Sequence, residues 1–181
     1  VLTGDDLTVA DVWNVAVHGL EVSLAESAKG RMVAARELLE SIHGDHTYGV
    51  NTGFGKFVSA HIPDELAEEL QLRLLRSHAC GVGEPYPDAV VRGALLLRAN
   101  AIAKGFSGAR VETVELLIAC LNRGVLPVVP ARGPAGASGD LAPLAHMSAV
   151  LLGVGEVECG GKVLHADEGL ARAGLQRLKL A

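Results

Sequence analysis

The chain has 181 residues, 49% of them apolar, and 21 acidic against 16 basic side chains give a net charge of −5, an ordinary globular composition with room for one substantial core. Scattered Lys and Arg and an aromatic content of 3% leave neither a basic run nor a stacking surface, which excludes a nucleic-acid partner. No apolar segment approaches membrane-spanning length, and Val1-Leu2-Thr3-Gly4-Asp5-Asp6 lacks the basic start and apolar centre of a secretory signal, so no membrane is expected and the compartment is the cytoplasm.

Helical periodicity dominates the elements predicted in chain order. Thr8, with Asp11 three residues on, forms an acidic variant of a capping box that opens a helix through about His18. Leu20 to Ile42 reads as a longer amphipathic helix, and between Gly44 and Ser59 the pattern dissolves into a loop of Gly, Asn, Thr and His. Pro63-Asp64-Glu65 starts a helix in which Leu66, Leu70 and Leu74 recur every four residues, ending near Ala79 before a Gly-Val-Gly-Glu-Pro break. Asp88 to Lys104 and Ala109 to Arg123 predict two more helices, the second closed by Gly124. Leu126 to Gly136 is extended and rich in Pro and Gly. A helix then starts at Asp140, with Pro143 tolerated in its first turn, and runs through Leu152. Val154–Val157 and Lys162–Leu164, separated by Gly160-Gly161, pair as a small hairpin, and a short helix covers Asp167 to Ala173. No repeat, low-complexity tract or linker divides the chain, so residues 1–181 are read as one mainly α unit.

Cys80, Cys120 and Cys159 are odd in number and about forty residues apart, which fits neither a disulfide framework nor paired zinc ligands, so they are read as reduced thiols. His43 and His46 flank Asp45 at a loop edge with no third ligand nearby. They are read as solvated, and no metal is assigned.

The densest chemistry lies at Ala137-Ser138-Gly139. Gly139 has no Cβ, so its amide nitrogen folds back onto the Ala137 carbonyl with little steric resistance and closes a five-membered ring. Loss of water from that ring, and then of the Ser138 hydroxyl, leaves an exocyclic methylene conjugated to an imidazolone, a stronger electron acceptor than any side chain. The same segment misses the nucleophile elbow of serine hydrolases, because Asp140 stands where Gly is required. In Tyr48-Gly49-Val50-Asn51-Thr52-Gly53-Phe54-Gly55, three glycines let backbone approach a ligand and Tyr48 supplies a phenol for acid–base work. This stretch is not a phosphate-binding loop: its glycine spacing is one residue too long, and Phe57 follows Lys56. His78 extends the Leu66, Leu70, Leu74 row by one more step of four, which places it on the buried face at the helix end, and by pattern alone it is a core histidine bonding a terminal carbonyl. His146 shares a face with Ala142 and Ala149 and reads as a packing or hydrogen-bonded residue, not a base.

Gly136-Ala137-Ser138-Gly139-Asp140-Leu141-Ala142-Pro143-Leu144-Ala145-His146-Met147, together with the Tyr48 loop, resembles the signatures of the aromatic amino acid ammonia-lyases and aminomutases. Leu97-Arg98-Ala99-Asn100 and Gly105-Phe106-Ser107-Gly108 look like further landmarks of that family, of structural role. Just before the core the family has a small polar or Gly residue and a branched apolar one, whereas Pro134 and Ala135 stand here.

The resemblance implies the helical, fumarase/aspartase-like fold and a 4-methylideneimidazole-5-one prosthetic group formed from Ala137, Ser138 and Gly139, with Asp140 beside it and no external cofactor. It implies that Tyr48 takes the substrate β-proton, a role needing positive charge or strong donors around it, and that Asn51, Gly55 and His78 bind substrate. Ser77-His78-Ala79 followed by Gly81-Val82-Gly83 is similar to the histidine-specific branch, which converts L-histidine to trans-urocanate and ammonia without oxidation. In such a reaction the substrate amine, or alternatively its ring, attacks the methylidene carbon. Branches acting on tyrosine or phenylalanine, and the aminomutases, are the first alternative. A fragment or inactive paralogue that only binds or assembles is the second. Family chains are longer, so these residues are expected to be the N-terminal part, cut before a C-terminal helical bundle, of a homotetramer whose active sites are shared between subunits.

Overall fold

Thr8 opens the first helix as the capping box predicts. In the computed structural model, which describes residues 1–42, 47–60 and 62–180, the Thr8 amide donates to Asp11 Oδ2 at 3.0 Å and the Asp11 amide donates to Thr8 Oγ1 at 3.2 Å. These bonds start α1 (Val9–His18), and the Thr8 hydroxyl, which donates to Asp11 Oδ2 at 2.6 Å, together with the Thr8 amide holds the Asp11 carboxyl below its usual pKa.

The next stretch departs from its predicted helix. Residues 20–25 are not helical, and α2 begins only at Glu26 (Glu26–Ser41). The backbone of this stretch is satisfied by distant partners. Leu2 and Leu24 form a parallel bridge, while Asn122 Oδ1 accepts from the Val22 amide at 3.0 Å and Asn122 Nδ2 donates to the Val22 carbonyl at 2.8 Å. An amphipathic pattern is blind to a carboxamide a hundred residues away.

α3 (Asp64–His78), α4 (Asp88–Ala103) and α5 (Val111–Asn122) lie within a residue or two of their predicted bounds. α4 is central and packs on α1, α2 and α5. Leu95, Leu96 and Ala99 from α4 and Val114, Leu117 and Leu121 from α5 are fully buried in the core, joined by Met32 of α2. Arg92 of α4 reaches through this packing: its Nε and Nη2 donate to the Val15 carbonyl and its Nη1 to the Leu121 carbonyl, tying α1 and α5 to α4.

Short strands join the helices. The predicted hairpin forms as β6 (Glu156–Cys159) and β7 (Lys162–His165) around a Gly160-Gly161 loop. It gains a third strand that periodicity did not show, β2 (Val125–Pro127), which pairs antiparallel with β6. The Gly-Val-Gly-Glu-Pro break is β1 (Val82–Pro85), paired with β3 (Pro130–Arg132). A two-residue pair, β4 (Ala135–Gly136) and β5 (Gly139–Asp140), precedes α6 (Ala142–Leu151), and α7 (Ala166–Arg172) closes the order. α6 therefore starts two residues later than predicted. Seven helices against short strands make the described residues mainly α.

Candidate active site

Three segments distant in sequence converge on one cleft of about 880 Å³. The loop after α2 brings Tyr48 and Gly55; α3 brings Leu70, Leu74 and His78; the β4–β5 hairpin and α6 bring Ser138, Leu141, Leu144 and Ser148. α3 packs against α6, which sets the distance between the last two walls.

The hairpin register, Ala135 with Asp140 and Gly136 with Gly139, leaves Ala137 and Ser138 as a two-residue tip. Gly139 has φ +80° and nothing stands within 4 Å of where a Cβ would be, so backbone conformation and not crowding demands glycine here. Pro134 precedes the hairpin and Ala135 pairs within it, so neither interrupts the turn. A tight turn, a left-handed glycine, open space around Gly136 and Gly139, and a serine on the cleft wall fit a 4-methylideneimidazole-5-one closed from Ala137-Ser138-Gly139. Asp140 lies in β5, and its Oδ1 accepts the Ala142 amide at 3.2 Å, occupying one of the free N–H groups at the start of α6. The positive end of that helix thus begins four residues after Ser138.

Tyr48 is 59% exposed and stands edge-on to Phe54, with ring centroids 5.8 Å apart. Its Oη accepts the Gly55 amide at 3.4 Å. The loop is braced from below by Thr52, fully buried, whose Oγ1 accepts from the Gly49 amide and donates to the Gly53 carbonyl. Asn51 is not among the residues lining the cleft; its Oδ1 accepts the Thr47 amide at 2.7 Å, so its visible work is to hold the loop that presents Tyr48.

The row on α3 faces the cleft and not the core, which corrects the burial expected from its spacing. Leu66 is 49% exposed, Leu70 and Leu74 line the cleft, and His78 is half-buried at the end of the row. His78 Nδ1 lies 2.9 Å from the Leu74 carbonyl oxygen and 2.9 Å from Ser77 Oγ, whose own hydroxyl donates to the same carbonyl. A carbonyl only accepts, so these partners assign the proton to Nδ1 and leave Nε2 as an acceptor. The carbonyl bond of a core histidine and a place on the cleft wall are therefore both present in one residue.

Arg73, Phe57, Leu141, Leu144 and Ser148 also line the cleft and were not assigned a role from sequence. For α6 a signal existed, since positions 141, 144 and 148 share a helical face. Arg73 is paired with Glu69, Nη2 to Oε1 2.6 Å, one turn back along α3, and both side chains are exposed. His146 does not line the cleft; its Nε2 accepts the Gly81 amide at 3.1 Å, and burial holds its pKa below the usual histidine value. His43, Asp45 and His46 lie outside the described residues. Cys80, Cys120 and Cys159 are all free thiols.

A family model described as aromatic amino acid lyase matches residues 7–181. Histidine ammonia-lyase of Caldanaerobacter subterraneus subsp. tengcongensis is 49% identical over all of this chain, which spans 36% of that relative's length. Among solved structures, histidine ammonia-lyase from Trypanosoma cruzi is 36% identical with a TM-score of 0.88, covering 99% of this chain and 35% of its own. The ergothioneine-degrading enzyme ergothionase from Treponema denticola is 31% identical with a TM-score of 0.93, covering 98% of this chain and 36% of its own. No helix of the described residues is long and apolar enough to cross a membrane.

Proposed function

The chain belongs to the aromatic amino acid lyase family, and from that premise we propose that it serves the elimination of ammonia from L-histidine to give trans-urocanate, within a longer protein of which it spans about a third. The convergence of Tyr48, His78 and Ser138 on one cleft carries this reading. A β-proton that is weakly acidic and an amine that leaves badly require both a base and an electron sink within reach of the substrate.

The 4-methylideneimidazole-5-one, once closed from Ala137-Ser138-Gly139, supplies the electron sink at the Ser138 position. Tyr48 is the base in this reading. The Gly55 amide, donating to its Oη, holds the phenol at the cleft where it takes the β-proton. His78, with its proton on Nδ1, offers Nε2 as an acceptor for an N–H of the substrate imidazole, a preference that phenylalanine cannot satisfy. Gly55 lets the loop backbone come close to the ligand, Asn51 holds that loop, and Asp140 holds the start of α6, whose positive end favours negative charge arriving at the tip. The apolar wall of Leu70, Leu74 and Leu141 excludes water from the leaving amine. The exposure of Tyr48 supports completion of the site by residues outside this chain, in a homotetramer with shared sites and in the cytoplasm.

The deciding experiment compares near-ultraviolet spectra and intact masses of the longer protein that contains this chain and of its Ser138→Ala variant, then assays both with L-histidine, L-tyrosine and L-phenylalanine. A ring band and a mass deficit of two waters, absent from the variant, with product from L-histidine alone, is the expected result. Product from tyrosine or phenylalanine in preference to histidine overturns the substrate, and an unmodified mass overturns ring closure in this chain.

A further inference from the structure

We propose that His146 is a positioning residue, holding His78 at its working distance from Ser138 through the bond its Nε2 accepts from the Gly81 amide. The inference rests on the reading of His78 as the side chain that recognises substrate. α3 ends at His78, and the chain turns at once: the Cys80 amide donates to the His78 carbonyl at 2.8 Å, and Gly81 follows. His146 sits in the second turn of α6, eight residues past Ser138. The 3.1 Å bond between Gly81 and His146 therefore links the exit of the helix that carries His78 to the helix that follows the Ser138 turn, 65 residues apart in sequence.

The approach is tight enough that a side chain at position 81 would have to push its neighbours aside by a few tenths of an ångström. A Cβ on Gly81 would stand 3.0 Å from His146 Nε2, 3.3 Å from its Cδ2 and 3.2 Å from Pro130 Cβ. Pro130 belongs to β3, which pairs with β1 and leads into the hairpin bearing Ser138. One contact thus gathers the end of α3, the body of α6 and the strand feeding the tip. An imidazole that accepts at Nε2 carries its proton on Nδ1 and is neutral, and the burial of His146 favours that neutral form. His146 itself stays off the cleft wall, so it acts on substrate only through where it keeps His78.

The test uses selectively labelled nitrogen-15 NMR of the longer protein that contains this chain, with His146→Leu to keep apolar bulk and remove the acceptor, and His146→Gln to restore an acceptor at similar reach. In His146→Leu the Gly81 amide exchanges about five- to tenfold faster and L-histidine binds about five- to tenfold more weakly, the worth of one hydrogen bond. The Ala79 and Cys80 amides shift while those of Leu96 and Leu117 in the core stay in place. His146→Gln returns exchange and affinity to within about twofold of the unaltered chain, since an acceptor is again present. Unchanged exchange and affinity in His146→Leu, or equal damage in His146→Gln, overturns the proposal. Should His146→Leu fail to fold, His146→Gln decides alone: retained values sustain the proposal and lost values end it. If Gly81 exchange responds as expected but L-histidine shifts no amide of the unaltered chain, the positioning bond stands and the histidine reading of the cleft falls.

Discussion

The backbone N–H of Gly55 donates to the phenolic oxygen of Tyr48 at 3.4 Å, seven residues along the same loop. The bond folds the loop back on itself and leaves the phenol at the mouth of the cleft, 59% exposed, with Phe54 against its ring. A hydroxyl so placed contributes little to the core and much to whatever occupies the cleft.

Tyr48→Phe is therefore expected to retain the ring band, the mass deficit and the thermal midpoint while urocanate formation falls by about 10²- to 10⁴-fold, the range for loss of a positioned base. Activity within a few-fold of the unaltered chain, measured by product absorbance, removes Tyr48 from the mechanism.

Gly139→Ala separates conformation from crowding. With φ at +80° and open space where the Cβ would stand, the methyl clashes with nothing and strains only its own backbone, by about 1–2 kcal/mol. A small drop in the urea midpoint is expected together with an unmodified intact mass, because the amide nitrogen of an alanine resists ring closure. A modified mass in this variant refutes the steric account of the tip.

Arg92→Met keeps the apolar stem of the side chain and removes the donors to the Val15 and Leu121 carbonyls. Two partly buried helix-end carbonyls lose their charged partner, so unfolding in urea is expected to reveal a loss of about 3 kcal/mol. A loss below about 1 kcal/mol means that water replaces the guanidinium.

Stability follows the charge of His146 with a definite sign. Its folded pKa lies below the reference value of 6.5, so the unfolded chain binds more protons in the interval between the two. The contribution is complete above the unfolded value and declines as pH falls through it. The unfolding free energy of the unaltered chain should thus drop more between about pH 7.5 and pH 5 than that of His146→Leu. Parallel pH curves for the two proteins contradict this.

The three thiols are expected to react in order of access. Burial pushes the Cys120 thiol up to about 12, and the residue is 1% exposed, whereas Cys80 is on the surface and Cys159 is half-buried. A thiol reagent followed by mass spectrometry should modify Cys80 first and Cys120 only on unfolding. Early labelling of Cys120 in the folded chain would show that α5 opens locally.

What the amino-acid order determined by itself is what short-range chemistry controls. The Thr8–Asp11 box, Pro143 in the first turn of α6 and the Gly160-Gly161 hairpin loop each act over two to four residues, and each lies where it was expected. Ala137-Ser138-Gly139 can be singled out in the same way, because the ring proposed there would be closed by a glycine nitrogen two residues away. Tertiary structure alone decided the rest. Residues 20–25 stay out of the helix because Asn122 and Leu2 take backbone groups of Val22, Ser23 and Ala25. β2 finds β6 some thirty residues later. The Leu70, Leu74, His78 row has a helical period that is equally at home in a core or on a cavity wall, and only the placement of α6 makes it the latter. Periodicity reports which face of an element is apolar. What that face meets depends on hydrogen bonds and packing between residues far apart in the chain, and these join Tyr48, His78 and Ser138 at one cleft.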